Sequence, residues 1–199
     1  QTGLISLVQD FSPNEFKNNV LALADLAKFF NLPTILTTSF ETGPNGPLVP
    51  ELKAQFPDAP YIARPGNINA WDNEDFVKAV KATGRKTLII AGTITSVCMA
   101  FPAISAVAEG YKVFAVIDAS GTYSKMAQEI TLARVVQAGV VPMDTAAVAS
   151  EIQGTWNRED AAEWAEVYTK VFPAYQLLIE SYSKAQEVVT SGEKLDSQR

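Results

Sequence analysis

Cys98, the only cysteine of the chain, lies where α/β proteins place reactive groups. It follows an apolar run at residues 87–90, which predicts a strand buried on both faces of a parallel sheet. Gly92 ends that run, and after Cys98 the apolar residues recur at helical spacing, at Phe101, Ile104 and Ala108. A cysteine between a strand and a helix meets the ligand-binding edge of a sheet, and the helix dipole there favours a thiolate. The position therefore predicts a nucleophile.

A lone cysteine also has a simpler interpretation, because free cysteines are among the most buried residue types and are commonly inert. Composition alone favours that interpretation, whereas the place of Cys98 between a strand and a helix favours the reactive one. The residues by themselves leave both alternatives open.

A second unusual segment runs from Arg64 to Trp71 and follows a short predicted strand. It combines a guanidinium, two asparagine amides, a Pro-Gly bend and a large aromatic ring. We consider Asn69 and Trp71, together with Thr95 of the Cys98 loop, as candidates for a substrate pocket. The alternative is a surface turn whose asparagines bond their own backbone.

The overall composition is that of a folded protein, with 47% hydrophobic and 19% charged residues in a chain of 199. A net charge of −6 argues against a nucleic-acid partner, which requires clustered Lys and Arg. No apolar run approaches the roughly 18 residues of a membrane-spanning helix, and no signal-peptide pattern is present. Because one cysteine cannot form an internal disulfide, we expect a cytoplasmic protein.

The chain contains no histidine, which removes Ser-His-Asp and Cys-His catalysis and the HExxH zinc site. With one cysteine and no histidine, the sequence predicts no metal and no cofactor. The glycine-rich motifs of nucleotide-binding proteins are also missing, since the loop at Gly92 lacks a second glycine and a lysine. A Rossmann-like nucleotide binder would rest on fold class alone.

Strand-like and helical segments alternate along the chain, which predicts a three-layer α-β-α sandwich with a mainly parallel central sheet. The predicted strands are residues 34–39, 61–63, 87–90, 111–117 and 140–143. The predicted helices are residues 12–30, 51–56, 72–83, 124–138 and 144–152, and the fourth is expected to bury Ile130, Leu132, Val135 and Val136.

Residues 157–171 and 173–189 are also helical by period, and they follow the last predicted strand. We expect one domain over residues 1–156. Residues 157–199 should form C-terminal helices and a polar tail that belong to that domain or to an oligomer interface. Their apolar stripes suit such an interface: Trp164, Tyr168, Val171, Tyr175, Leu178, Ile179 and Tyr182.

The segment Gly92-Thr-Ile-Thr-Ser-Val-Cys98 resembles the G-x-x-T-x-x-C signature of the isochorismatase-like cysteine hydrolases, a superfamily that includes nicotinamidases. Arg64 stands where that family carries a lysine followed by a Ser-Ala-Phe-like segment. Across residues 1–156 the chain is similar to the YcaC-type branch of the superfamily, including residues 34–40 and 118–121.

The resemblance implies roles for several residues. Cys98 matches the nucleophile, Arg64 matches the catalytic lysine, and the backbone N–H groups of Ile94 and Cys98 match the oxyanion hole. The peptide between Thr93 and Ile94 is expected to be cis. The family's third catalytic member, an aspartate ending the first strand, would lie two residues before Gln1, so we expect the sequence to begin inside the natural chain.

The implied function is that of a metal-free cysteine hydrolase. It would act on a small amide-like substrate through a thiolate nucleophile and a thioester intermediate, with unknown specificity. The alternative is a binding or scaffolding member of the same fold, because arginine in place of lysine is a poor proton relay. The resemblance also implies a homo-oligomer, with an octamer as the expected size, and no nucleic-acid or membrane partner.

Overall fold

The computed structural model describes residues 1–192, and residues 193–199 of the expected polar tail lie outside the described part. The strands are β1 (Leu36–Ser39), β2 (Tyr61–Arg64), β3 (Thr87–Ile90), β4 (Lys112–Val116) and β5 (Val141–Met143). The helices are α1 (Thr2–Ile5), α2 (Pro13–Phe29), α3 (Pro50–Gln55), α4 (Glu74–Ala82), α5 (Ala100–Ala108), α6 (Lys125–Gln137), α7 (Thr145–Gln153), α8 (Ala161–Val171) and α9 (Pro173–Ser191).

All the strand pairs in the described residues are parallel, and they form two groups. β1 pairs with β2, and their register places Ser39 opposite Arg64. In the second group the order is β3-β4-β5, with Thr87 opposite Lys112 and Phe114 opposite Val141. The alternation of parallel strands and helices confirms the predicted α/β class.

β4 lies at the centre of the second sheet and is its most buried strand. Val113, Ala115 and Val116 are fully buried. On one face of the sheet, α5 packs closely because it presents small residues, with Ala100, Ala103 and Ala106 in the same cluster. This packing fixes the start of α5, and with it the residue just before the helix, relative to the sheet.

The prediction that residues 87–90 are buried on both faces was wrong for one face. Within the described residues β3 pairs with β4 alone, so it is an edge strand. Leu88 and Ile90 pack against the core, whereas Ile89 on the opposite face is 38% exposed. An apolar run does not reveal whether its strand lies at the centre or the edge of a sheet.

The predicted burial of α6 was correct on one side only. Ala127, Thr131 and Val135 face the core, and Leu132 is half-buried. Ile130 and Val136 were expected inside, but they are 63% and 55% exposed. The apolar residues of α6 occupy more of its circumference than the part that contacts the sheet, so some of them stay exposed.

Helix starts follow capping side chains. Ser12 caps α2 by accepting from the Glu15 amide at 3.3 Å, and Asp144 caps α7 by accepting from the Ala147 amide at 2.8 Å. The predicted helix start at Asp72 was wrong, because Asp72 ends a 3-10 turn over Ala70–Asp72. Asn73 caps α4 instead, accepting from the Phe76 amide at 3.0 Å.

The two C-terminal helices differ in how they contact the rest of the chain. α8 packs on α2 and α7, where Val171 joins a buried cluster with Leu26 and Ala149. By contrast, α9 has no buried residue. None of the described helices is long and apolar enough to span a membrane.

Candidate active site

Cys98 lies in a wide π-helical turn, Thr95–Met99, that leads directly into α5. The side chain is a free thiol and is partly exposed. The backbone N–H of Cys98 donates to the carbonyl oxygen of Ile94 at 2.7 Å. The thiol is therefore held on a rigid turn, at the junction that the sequence predicted.

Gly92 is required at the end of β3 because the chain passes very close to Cys98 there. A Cβ atom at Gly92 would lie 3.1 Å from both the carbonyl carbon and oxygen of Cys98. The Gly92 amide is also anchored, since it donates to Ser120 Oγ at 3.1 Å. Ser120 Oγ in turn donates to the Val116 carbonyl at 2.7 Å.

The peptide bond between Thr93 and Ile94 is cis. Thr95 continues the loop, and its amide donates to the Gly121 carbonyl at 2.9 Å. Among the hydrogen bonds of residues 1–192, the Ile94 amide has no acceptor. The two amides that the family resemblance assigns to an oxyanion hole thus differ, because the Cys98 amide is already bonded and the Ile94 amide is free.

Thr95 is fully buried, and its hydroxyl has no partner within the described part of the chain. It lies beside Ile94, which is also buried. Burial of an unpaired hydroxyl costs free energy unless a further group reaches it. Thr95 therefore belongs to the buried side of the turn that carries Cys98.

Arg64 ends β2, and only 4% of the residue is exposed. Hydrogen bonds hold its guanidinium in place. Nε donates to Thr37 Oγ1 at 3.0 Å, and Nη1 donates to the carbonyl oxygens of Asn67 and of Ile68, the latter at 3.1 Å. These bonds use the N–H groups of Nε and Nη1. The N–H groups of Nη2 have no acceptor within residues 1–192.

The structure brings Arg64 and Cys98 into electrostatic contact. Burial lowers the pKa of Arg64 below its usual value, and the negative charge of a Cys98 thiolate opposes that shift. Arginine stays charged even so, because its unperturbed pKa lies far above neutral pH. A fixed positive charge therefore lies close enough to Cys98 to interact with a thiolate there.

Asn69 and Trp71, the other pocket candidates, use their polar atoms in contacts with α5. Asn69 Nδ2 donates to Ser105 Oγ at 3.0 Å, and Trp71 Nε1 donates to Glu109 Oε1 at 2.7 Å. The Trp71 ring also lies 5.6 Å from the ring of Tyr111. These contacts tie the segment after β2 to the helix that begins beyond Cys98.

Sequence reasoning missed two residues that hold the site together. Thr37 positions Arg64, and its hydroxyl also donates to the Ile62 carbonyl at 2.8 Å. Ser120 links the end of β4 to Gly92. Both lie in segments that carry the family resemblance, residues 34–40 and 118–121, but their residue types gave neither a role, because threonine is common in strands and serine is common in loops.

The comparison with known protein families decides the identity of the fold. The sequence model of the Isochorismatase domain matches residues 7–147, which is more than half of the chain. The chain belongs to the isochorismatase family. The predicted resemblance is thereby confirmed, and with it the isochorismatase-like fold of parallel strands flanked by helices.

Relatives within the isochorismatase family are similar over nearly the whole chain. "Probable hydrolase YcaC" of Escherichia coli strain K12 is 64% identical over 182 residues, covering 92% of this chain and 87% of that protein. The crystal structure of the Escherichia coli YcaC protein, described as an octameric hydrolase of unknown specificity, has a TM-score of 0.90 at 63% identity, covering 93% of this chain and 90% of that chain.

A second solved structure is that of YcaC from Pseudomonas aeruginosa with hexane-2,5-diol and covalent acrylamide. It has a TM-score of 0.88 at 61% identity, and covers 92% of this chain and 90% of that one. The recognition of the YcaC-type branch is therefore confirmed as well. Within residues 1–192, no three His, Cys, Asp or Glu side chains cluster in a way that could hold a metal ion.

Proposed function

We propose that this protein is a cysteine hydrolase that cleaves the C–N bond of a small amide-like substrate. The observation that carries the proposal is the buried guanidinium of Arg64, fixed by three hydrogen bonds and in electrostatic contact with Cys98. A permanent cation beside a thiol favours the thiolate, which is the nucleophilic form. The membership of the isochorismatase family supports the same chemistry.

In the first step, the thiol of Cys98 loses its proton and the thiolate attacks the carbonyl carbon of the substrate. The family resemblance assigns that proton to a catalytic aspartate. A C–S bond forms, and the carbonyl π electrons move to oxygen. The resulting oxyanion would be bound by the free amide of Ile94, because a preorganised N–H donor stabilises charge that develops there.

In the second step, the oxyanion collapses, the C–N bond breaks, and the proton acceptor returns its proton to the leaving nitrogen. A thioester on Cys98 remains. Water then adds to the thioester as the carboxylate takes a proton from it, and the C–S bond breaks. The thiolate regains that proton, so the products are a carboxylic acid and the free thiol. Throughout, Arg64 serves as a fixed charge and not as a proton relay, because it does not readily give up a proton.

The relatives support hydrolysis, and they leave specificity open. The Escherichia coli relative is called a hydrolase of unknown specificity. The Pseudomonas aeruginosa relative carries covalent acrylamide, a compound that thiolates attack. Both facts agree with an accessible nucleophile in proteins more than 60% identical to this one.

Ammonia release from a panel of small primary amides tests the proposal. The wild-type protein should release ammonia from at least one member of the panel, and Cys98→Ala should lose that activity. Cys98→Ala is a small change at a partly exposed position, so its circular dichroism should match that of wild type. Equal rates from the two proteins on every amide would contradict the proposal.

A binding or scaffolding role is the second candidate, and one observation favours it. The Cys98 amide is spent on Ile94 at 2.7 Å, so within residues 1–192 the proposed oxyanion hole retains one backbone donor. If this role is correct, small amides bind without turnover. Calorimetric binding of an amide, together with the absence of ammonia release above that of Cys98→Ala, would favour it.

We also propose that the protein works as a homo-oligomer, and the octameric state described for the Escherichia coli relative supports this. The chain itself leaves large apolar side chains uncovered, among them Met126, Ile130 and Tyr182. Exposed apolar patches of this kind mark association surfaces. Multi-angle light scattering of the full chain would give its mass in solution.

A further inference from the structure

Helix α9 carries an apolar stripe that the rest of the described chain covers only at its first residue. The stripe consists of Tyr175, Leu178, Tyr182, Ala185 and Val189, and their spacing of three and four residues is that of the a and d positions of a coiled coil. Leu178, Tyr182 and Val189 are 59%, 65% and 77% exposed. We call these five residues the α9 stripe.

The α9 stripe is anchored to the body of the molecule at its first residue. The ring of Tyr175 stacks on that of Trp156, with centroids 6.0 Å apart, and lies 5.1 Å from the ring of Tyr168 on α8. None of the residues of α9 is buried. The helix is therefore oriented by an aromatic cluster at one end while the rest of its apolar side is open.

The charges of α9 lie away from the stripe. Lys184 pairs with Glu187 at 3.3 Å, and Glu180 accepts from Gln176 Nε2 at 2.7 Å. The positions that flank the stripe are uncharged: Ile179, Ser181, Gln186 and Val188. A second helix with the same surface would meet no like charge at the edges of the contact, where coiled coils set partner choice.

We propose that the α9 stripe packs against a second copy of this chain as a helix–helix contact. The proposal rests on the proposed homo-oligomer and identifies one of its contact surfaces. A second copy is the favoured occupant because the relative described as an octamer has 63% identity over 93% of this chain. A membrane surface fits less well, since amphipathic membrane helices flank their apolar face with Lys and Arg.

The α9 stripe is too small to hold an octamer by itself. A stable interface buries roughly 800 Å² on each partner, and an assembly of dihedral symmetry needs more than one kind of contact. A separate exposed stripe of the same spacing starts at Tyr123, just before α6, and continues on α6 at Met126, Ile130 and Ala133. Loss of the α9 contact should therefore leave a smaller oligomer or a monomer.

The test compares two double variants of the full chain. Leu178→Glu with Tyr182→Glu adds two negative charges on the α9 stripe. The matched control, Gln176→Glu with Ser183→Glu, adds the same charge to exposed positions of the same helix outside the stripe. Because α9 buries no residue, neither variant should unfold the chain, and circular dichroism checks this directly.

Native mass spectrometry and light scattering give the result. We expect the stripe variant to fall to half of the wild-type mass or less, and the control to keep the wild-type mass. A stripe variant with the wild-type mass would overturn the α9 contact, and a monomeric wild type would overturn it together with the proposed homo-oligomer. Neither outcome bears on the hydrolase proposal, which ammonia release by wild type and Cys98→Ala tests separately.

Discussion

At the scale of single residues, the fixed position of Arg64 constrains the chemistry at Cys98. The guanidinium of Arg64 is buried and bonded to three acceptors, so it is already ordered in the folded chain. It can therefore act on a thiolate without further rearrangement. Lysine in the same place would offer a point charge with a removable proton. The site of this chain therefore provides constant electrostatic support and leaves proton transfer to another group.

Gly92 supports the same thiol because it has no side chain where the backbone passes close to Cys98. In Gly92→Ala the new methyl group would meet the Cys98 carbonyl at 3.1 Å, so the turn that carries the thiol must move by a few tenths of an ångström. Because reactions are sensitive to small displacements of a catalytic group, we expect ammonia release to fall by about tenfold or more. The measurement is the ratio of the variant and wild-type rates.

Gly66→Ala is the matched control for that change. A Cβ at Gly66 would meet no atom within 4 Å, so this variant should retain most of the wild-type activity. If Gly92→Ala is as active as Gly66→Ala, close packing against Cys98 has no role in positioning the thiol.

At the scale of secondary-structure elements, Asp118 joins the end of β4 to the start of α7. Its Oδ1 accepts from the Thr145 amide at 2.9 Å and from the Thr145 hydroxyl at 2.7 Å. Burial nevertheless raises the pKa of Asp118, because the cost of desolvating the carboxylate exceeds the gain from these bonds. Folding is therefore less favourable when the Asp118 carboxyl is charged than when it is neutral.

Asp118→Asn should remove the desolvation cost of the Asp118 carboxylate, and the resulting gain in stability should depend on pH. The folded wild type holds the Asp118 proton more tightly than the unfolded chain does. Its stability therefore falls as pH rises from the ordinary aspartate pKa, about 3.9, through the raised folded value. The variant lacks this carboxyl, so its stability relative to wild type should increase over the same window and then level off.

Urea unfolding at several pH values from about 4 to 8, at constant protein concentration, measures the effect. The same substitution at exposed Asp58 controls for the loss of one negative charge. A difference between Asp118→Asn and wild type that stays constant or shrinks with rising pH would contradict the raised pKa.

Several elements follow directly from sequence pattern, and others do not. The alternation of strands and helices and the capping residues Ser12 and Asp144 are local signals, so they were readable. The exposure of Ile89 and Ile130 was not, because periodicity reports which residues are apolar and not what covers them. Thr37 was missed for a related reason, since its role depends on a neighbouring strand that brings Arg64 to it.

At the scale of the whole molecule, apolar surface stays exposed on both α6 and α9. The exposed stripe of α9 agrees with the expectation that the C-terminal helices suit an oligomer interface, whereas Ile130 and Val136 of α6 were expected to be buried. A chain with a net charge of −6 that leaves apolar side chains of α6 and α9 exposed fits the proposed homo-oligomer. The fold class, the family and the location of Cys98 could all be predicted. The exposed surface of α6 could not, because periodicity does not show which faces of a helix the chain itself leaves open.

The position of the candidate site within the molecule follows from the same architecture. Arg64 comes from the β1–β2 pair, whereas Cys98 comes from the turn after β3 in the other group of strands. The family resemblance predicted that these two residues would meet. Each residue follows or ends a parallel strand of its group, at the carboxyl ends where α/β proteins bind ligands.

The rate of alkylation of Cys98 by iodoacetamide near neutral pH tests the central claim most directly. Since the chain has a single cysteine, the mass shift of the intact protein reports on Cys98 alone, and a peptide of residues 95–101 provides the unstructured reference. We predict that the folded protein reacts at least about tenfold faster than the peptide, and that Arg64→Met loses most of this excess because the fixed charge is gone. A folded protein that reacts no faster than the peptide would contradict the claim that Cys98 is an activated nucleophile.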